Sequence, residues 1–223
     1  MNAVHPHCIW SADEFHARIL AAVGRSYDEL CLDPSFPEAW TKDLVVPTTK
    51  TKVRQTPLLG KGGSGRECGG FWRFAQEYIA AESGAGQVQT QITDRVGRII
   101  RERIGFERYA DFQFCTSGNW HDGKKRLLVD AEAEANPSEL LGEFTNLLSW
   151  HCAFKCLFIY ELNDLLGRLN SFCADPTNFA RDWAGTTYLV AEIPGTPCAP
   201  QTWKRYRADV GQHGETIQFR RVD

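Results

Sequence analysis

The stretch Leu127-Leu-Val-Asp-Ala-Glu-Ala-Glu134 decides how this chain is read. In a strand, successive side chains alternate between faces, so Asp130, Glu132 and Glu134 share one face. Leu127, Val129, Ala131 and Ala133 then turn the other way, into a core. Three carboxylates spaced about 7 Å apart along one strand face repel one another. Two environments relieve that repulsion. Either the face is fully solvated, or a divalent cation neutralises it.

The elements on either side define the fold class. Downstream, Asn136-Pro137-Ser138 opens a helix to about 150, with Leu140, Leu141, Phe144, Leu147 and Leu148 at buried spacing. Residues 154–160 (FKCLFIY) form an apolar run of strand length, suited to a sheet covered on both faces. Upstream, 109–116 (YADFQFCT) reads as a strand joined to 125–134 by the turn-rich Ser117–Gly123. Before it, 90–104 reads as a helix with Ile92, Val96, Ile99, Ile100 and Ile104 in one stripe. Thr93 or Asp94 caps this helix and Gly105 ends it. Helix, strand, strand, helix, strand describes an α/β fold, a mixed central β-sheet flanked by helices. The first two strands run antiparallel, and a helical crossover returns the third parallel to the second.

Beyond this core, 11–23 reads as a helix with Ser11 and Glu14 as a capping box, and 71–82 as a second helix. The C-terminal third suggests a helix at 162–172, a strand at 186–193 and a hairpin within 202–221. Residues 41–70 are rich in proline and glycine and read as a flexible segment. Within it, Gly60-Lys-Gly-Gly-Ser-Gly65 satisfies the spacing of a dinucleotide-binding loop. The strand before it and the helix after it that such a loop requires are missing from the pattern. The whole chain, 1–223, reads as one domain with its core at about 90–160.

Composition narrows the functional classes. A hydrophobic fraction of 43% with 12% aromatics belongs to a globular protein, and a net charge of −3 gives no global field for nucleic acid. A local basic cleft would suffice. No apolar run reaches the roughly 18 residues of a membrane span. The first residues lack a secretory pattern. The eight cysteines are dispersed without a CxxC pair, so they read as buried thiols of a cytoplasmic protein.

The order of elements and the acids on them resemble the PD-(D/E)xK nuclease superfamily, which includes many type II restriction endonucleases. The matching residues are Ala110-Asp111 on the first strand and Glu132-Ala133-Glu134 on the second. Ala110 replaces the usual proline, and Glu134 replaces the usual lysine. The likeness spans about 70 residues, and its motif is short and degenerate. It implies a restriction endonuclease-like core and a divalent-metal-dependent endonuclease acting on double-stranded DNA, working as a homodimer. It implies Mg²⁺ or Mn²⁺ on Asp111, Glu132 and the carbonyl of Ala133, with Asp94 as an auxiliary ligand. Asp111, Glu132 and Glu134 would be the catalytic acids, with Glu134 as proton acceptor or second-metal ligand.

Each of these residues also has a plainer reading. The acids can belong to a solvated edge, with Asp130 paired to Lys125 or Arg126. Asp94 can be a helix cap, and Glu143 a surface residue. Arg95, Arg98 and Arg101 recur along one helix and suit a phosphate backbone, as do Lys124 and Lys125 and the basic residues within 204–221. A solvated helix face explains the same arginines. On that reading the chain is a non-catalytic nucleic-acid-binding or interaction protein on the same fold.

Overall fold

The computed structural model of the chain describes residues 8–30, 32, 69–82, 104–107, 110–115, 127–134, 137–160, 162–178, 180, 182–193, 202–211 and 216–222. Four α-helices lie within them: α1 (Ala12–Leu30), α2 (Gly70–Glu82), α3 (Leu140–Leu148) and α4 (Leu165–Ala174). Seven strands form one sheet: β1 (Ile104–Glu107), β2 (Ala110–Cys115), β3 (Leu127–Glu134), β4 (Phe154–Tyr160), β5 (Thr187–Ile193), β6 (Lys204–Asp209) and β7 (Arg220–Val222). Their spatial order follows the chain. The pairs β3–β4 and β4–β5 are parallel, and the other four are antiparallel.

Strand alternation divides the interior into two cores. From β4, Phe154, Cys156 and Phe158 join α1 and α2 on one face. Leu157 and Ile159 join α3 and α4 on the other. The next strand repeats the pattern, with Leu189 and Ala191 in the first core and Tyr188 and Val190 in the second. This double covering is what the unbroken apolar run FKCLFIY predicts. The two crossover helices share one face because crossovers of one hand, stepping the same way across a sheet, must do so.

The first core is aromatic. Phe15 of α1 stacks on Phe154 with ring centroids 3.8 Å apart, and Phe74 of α2 meets Phe15 edge-on at 5.1 Å. Trp10 packs edge-on against Tyr78 at 4.9 Å, and Phe71 stacks on Phe112 at 4.7 Å. Such pairs add about 0.5–1.5 kcal/mol each beyond area burial. The start of α1 follows the capping-box expectation. The Glu14 backbone N–H donates to Ser11 Oγ, and the Ser11 N–H donates to Glu14 Oε2 at 3.0 Å. The helix continues past 23 because α2 supports it: Arg25 pairs with Glu77, Arg73 pairs with Glu29, and Ser26 is buried.

In the second core, Phe144 meets Tyr188 and Phe219 at 5.7 Å each, and Phe172 at 5.8 Å. Asn170 of α4 behaves like an extra strand residue toward the C-terminal segment. Its Oδ1 accepts from the Phe219 N–H at 2.8 Å, and its Nδ2 donates to the Phe219 carbonyl at 3.0 Å. At the start of α4, Asp164 adopts φ 57° and its side chain accepts from the Gly167 N–H at 3.3 Å. A Cβ on Gly167 would lie 2.4 Å from Asp164 Oδ2, so only glycine allows this cap.

One boundary differs from the sequence reading. Ile104 and Gly105, expected at the end of a helix, belong to β1 and pair with Phe114 and Gln113 of β2. As a strand these residues pair their backbone with β2, and a β-branched residue type favours strand over helix terminus. The rest of the expected helix, and residues 41–68 of the Pro/Gly-rich segment, lie outside the described residues. No helix of the described residues is long and apolar enough to cross a membrane.

His16 of α1 supplies a pH test of the first core's rim. Burial lowers its pKa from the usual 6.5 to about 4, with Arg207 adding to the effect. The folded state therefore binds fewer protons than the unfolded chain between those values, and stability falls as pH drops from about 6.5 toward 4. With allowance for partial exposure, the loss amounts to about 2 kcal/mol. Urea unfolding across this window should show that increment in wild type and a flatter profile in His16→Gln.

Candidate functional site

The site begins with the pairing of β2 and β3. Phe112 stands opposite Ala131, Gln113 opposite Asp130 and Phe114 opposite Val129. Both strands run on past the last of these pairs, and the same register continued by one residue would set Asp111 opposite Glu132. Two rungs of polar residues would then succeed each other across the hairpin: Gln113 with Asp130, then Asp111 with Glu132. The side chains of Asp111 and Glu134 lie outside the described residues.

The inner rung extends across the sheet. Asp130 pairs in register with Lys155 of β4, and Lys155 with Tyr188 of β5. This row is wholly buried, with Gln113, Asp130, Lys155 and Tyr188 each 0% exposed. Gln113 Nε2 donates to Asp130 Oδ1 at 3.0 Å. Lys155 Nζ forms an ion pair with Asp182 Oδ2 at 2.5 Å and lies 5.5 Å from the centre of the Tyr188 ring. The Tyr188 hydroxyl donates to the same Asp182 oxygen. The other oxygen, Asp182 Oδ1, accepts from the Trp183 backbone N–H at 2.7 Å.

Among the described residues, Asp130, Glu132 and Asp182 are buried on this side of the sheet, and Lys155 is the buried cation beside Asp130 and Asp182. Burial pushes the Asp130 carboxyl up to about 6, against the opposing influence of Gln113 and Lys155. Asp130 Oδ2 and Gln113 Oε1 are shielded from solvent and have no hydrogen-bond partner. An unsatisfied buried acceptor costs about 1–3 kcal/mol, and more if charged. The cluster offers oxygen ligands, with acceptors in excess, which is the donor set a hard cation such as Mg²⁺ takes.

This geometry overturns the solvated-edge reading for Asp130 and Glu132, which are 0% and 4% exposed. The reason is α3, which packs over β3 and β4 and carries Leu140, Phe144 and Leu147 into the core there. Asp130 takes the Gln113 amide and the field of Lys155. Glu143 is half-buried and accepts from Asn146 Nδ2 at 3.2 Å, so it is not a plain surface acid. Ala133 is partly buried against the first core. Asp94, Arg95, Arg98, Arg101, Lys124, Lys125 and Arg126 lie outside the described residues. Of the C-terminal basic residues, Arg207 is engaged by Asp13 and Asp209, and Lys204 pairs with Glu192 at 3.1 Å.

Four members of the network escaped the sequence reading, Tyr188 within the expected strand 186–193 among them. Gln113 follows Asp111 at the period of a strand, so a polar pair on one face was visible there. Lys155 was the clearer signal, a lone charge inside FKCLFIY. Asp182 precedes β5 in irregular chain, where no periodicity marks it. Cys8, Cys115, Cys152, Cys156 and Cys173 are buried and are not joined in disulfides. Burial pushes the Cys152 and Cys156 thiols well up, which removes them as thiolate ligands or nucleophiles. His151 is exposed and stacks on Trp183 at 4.4 Å.

Among the described residues no three His, Cys, Asp or Glu side chains are grouped as a metal cage. Asp111 and Glu134 fall outside that description. Comparison of the chain with family models, with curated proteins and with solved structures found no match.

The Lys155–Asp182 pair is open to a direct stability test. Breaking a buried pair leaves one charge without its partner, at about 3–5 kcal/mol. Asp182→Leu should lower unfolding free energy by that amount in urea titrations. Adding Lys155→Met should recover part of the loss. Recovery stays incomplete, because Asp130 then loses the cation beside it.

Proposed function

We propose that this protein is a divalent-metal-dependent endonuclease that hydrolyses phosphodiester bonds in double-stranded DNA, on a restriction endonuclease-like core. The observation that carries this reading is the register of β2 and β3, whose continuation by one residue would set Asp111 opposite Glu132. The sheet around them runs antiparallel, antiparallel, then parallel through a helical crossover, from β1 to β4. That is the arrangement the PD-(D/E)xK resemblance calls for. The surplus of buried acceptor oxygens on the same hairpin gives independent support for a hard cation.

On this reading Asp111, Glu132 and the Ala133 carbonyl hold Mg²⁺ or Mn²⁺, with Asp94 as an outer ligand. A bound cation supplies charge neutralisation at the scissile phosphate and an acidified water. Glu134, at the end of β3, accepts the proton of the attacking water. Arg95, Arg98, Arg101, Lys124 and Lys125 contact backbone phosphates and set the position of the duplex. Two copies related by a twofold axis address the two strands, so the working form is a homodimer.

A second reading has an observation in its favour. Glu132 is 4% exposed, and its inner neighbour is tied into the Lys155 network. A non-catalytic nucleic-acid-binding or interaction protein could keep these acids as internal structural groups.

Cleavage separates the two. Supercoiled and linear DNA should give discrete products with wild type in Mg²⁺ or Mn²⁺, and none in chelator. Asp111→Ala and Glu132→Ala should abolish the products, and Glu134→Gln should slow their formation by about 10²–10⁴-fold. Equal cleavage by wild type and both alanine variants would refute the site. The absence of cleavage by wild type on varied DNA would favour the binding reading.

A further inference from the structure

We infer that the inner rung, Gln113 with Asp130, supplies two further oxygen ligands to a divalent cation shared with Glu132, through Gln113 Oε1 and Asp130 Oδ2. The inference rests on the proposal that this hairpin binds a divalent cation. It goes beyond that proposal because neither Gln113 nor Asp130 belongs to the motif Asp111, Glu132-Ala133-Glu134.

Three observations converge. Both side chains are 0% exposed, so bulk water cannot complete their hydrogen bonding. Each keeps one oxygen without a partner, while the bond between Gln113 Nε2 and Asp130 Oδ1 orients both groups. Glu132 lies two residues from Asp130 on the same face of β3. Residues two apart in a strand have Cα atoms about 7 Å apart. Carboxylates that lean toward each other across that gap can share one ion whose oxygen ligands lie about 2.0–2.6 Å away.

Charge and chemistry select a cation over an anion or a soft metal. Among the described residues, the cation in register with Asp130 is Lys155, and it is already engaged by Asp182. Among the described residues, the thiols that feel the Asp130 charge are Cys152 and Cys156, and burial holds both in the neutral form. The orientation of the Gln113 amide also fits, since its nitrogen serves the carboxylate and its oxygen remains for the ion. Because these ligands are held together before any substrate arrives, the site should bind metal in the absence of DNA.

The test is Mn²⁺ titration of the folded, DNA-free protein, followed by electron paramagnetic resonance and by thermal melting. Wild type should bind with an affinity in the millimolar range or tighter and melt at a higher temperature with Mn²⁺. Gln113→Met and Asp130→Asn keep the size of the side chain and remove an oxygen or a charge. Each should weaken Mn²⁺ binding by at least about tenfold, since loss of even an outer-sphere partner of a metal costs ten- to a hundredfold. Glu132→Gln should weaken it as well. Unchanged affinity in both inner-rung variants, with loss in Glu132→Gln, would overturn this inference and leave the nuclease reading standing. That result would assign the two oxygens to a buried water. No Mn²⁺ binding by wild type would also overturn it, whatever the cleavage assay shows. If a variant melts below the titration temperature, Gln113→Glu replaces it, and the expected result is tighter binding.

Discussion

Asp130 cannot be ionised in the interior of this protein without help, and much of the second face is arranged around that constraint. It lies in the middle of a seven-stranded sheet beneath α3, next to Gln113 on one neighbouring strand and Lys155 on the other. Lys155 in turn needs Asp182, and Asp182 needs the Tyr188 hydroxyl and the Trp183 backbone N–H. A single polar row thereby links β2, β3, β4 and β5, with each strand contributing a group that another strand requires. Buried polar networks of this kind are costly when incomplete. This one is incomplete at Asp130 Oδ2 and Gln113 Oε1.

That incompleteness connects fold to function. An all-apolar row would pack between α3 and the sheet at lower cost, since replacement of buried ion pairs by hydrophobic residues is often neutral or stabilising. A cation at the neighbouring rung would turn the surplus of oxygen from a cost into a ligand set. It would also explain why the acids sit where the sheet is well supported, between the antiparallel β2 and the parallel β4 and beneath an overlying helix. Rigid elements hold a metal site more accurately than loops do.

Much of the architecture was legible in the sequence because period and burial agree there. FKCLFIY marked β4 with the bounds the structure shows, and the alternation in LLVDAEAE placed Val129, Ala131 and Ala133 on the first-core face, although Leu128 joins that core in place of Leu127 where the register shifts. The capping box at Ser11 and Glu14 was visible as well. The edge strand β1 was missed because Ile104 completes a helical stripe as readily as a strand, and pairing with β2 is a tertiary event. The solvated-edge alternative failed for a similar reason. Alternation tells which residues share a face, and nothing about whether a helix will cover it. Asp182 was beyond reach, since its role depends on a chain reversal that brings it beneath Lys155. The arginines and lysines expected to contact DNA are a sequence inference alone.

The central claim, a cation on the β2–β3 hairpin, is tested most directly by a crystal structure of the protein grown with Mn²⁺. An anomalous difference map at the manganese edge should show a peak between the strands, roughly 2.0–2.6 Å from a carboxylate oxygen of Glu132 and bordered by Asp111. Water or a lysine ammonium filling that position at saturating Mn²⁺, with no anomalous peak on the hairpin, would contradict the account.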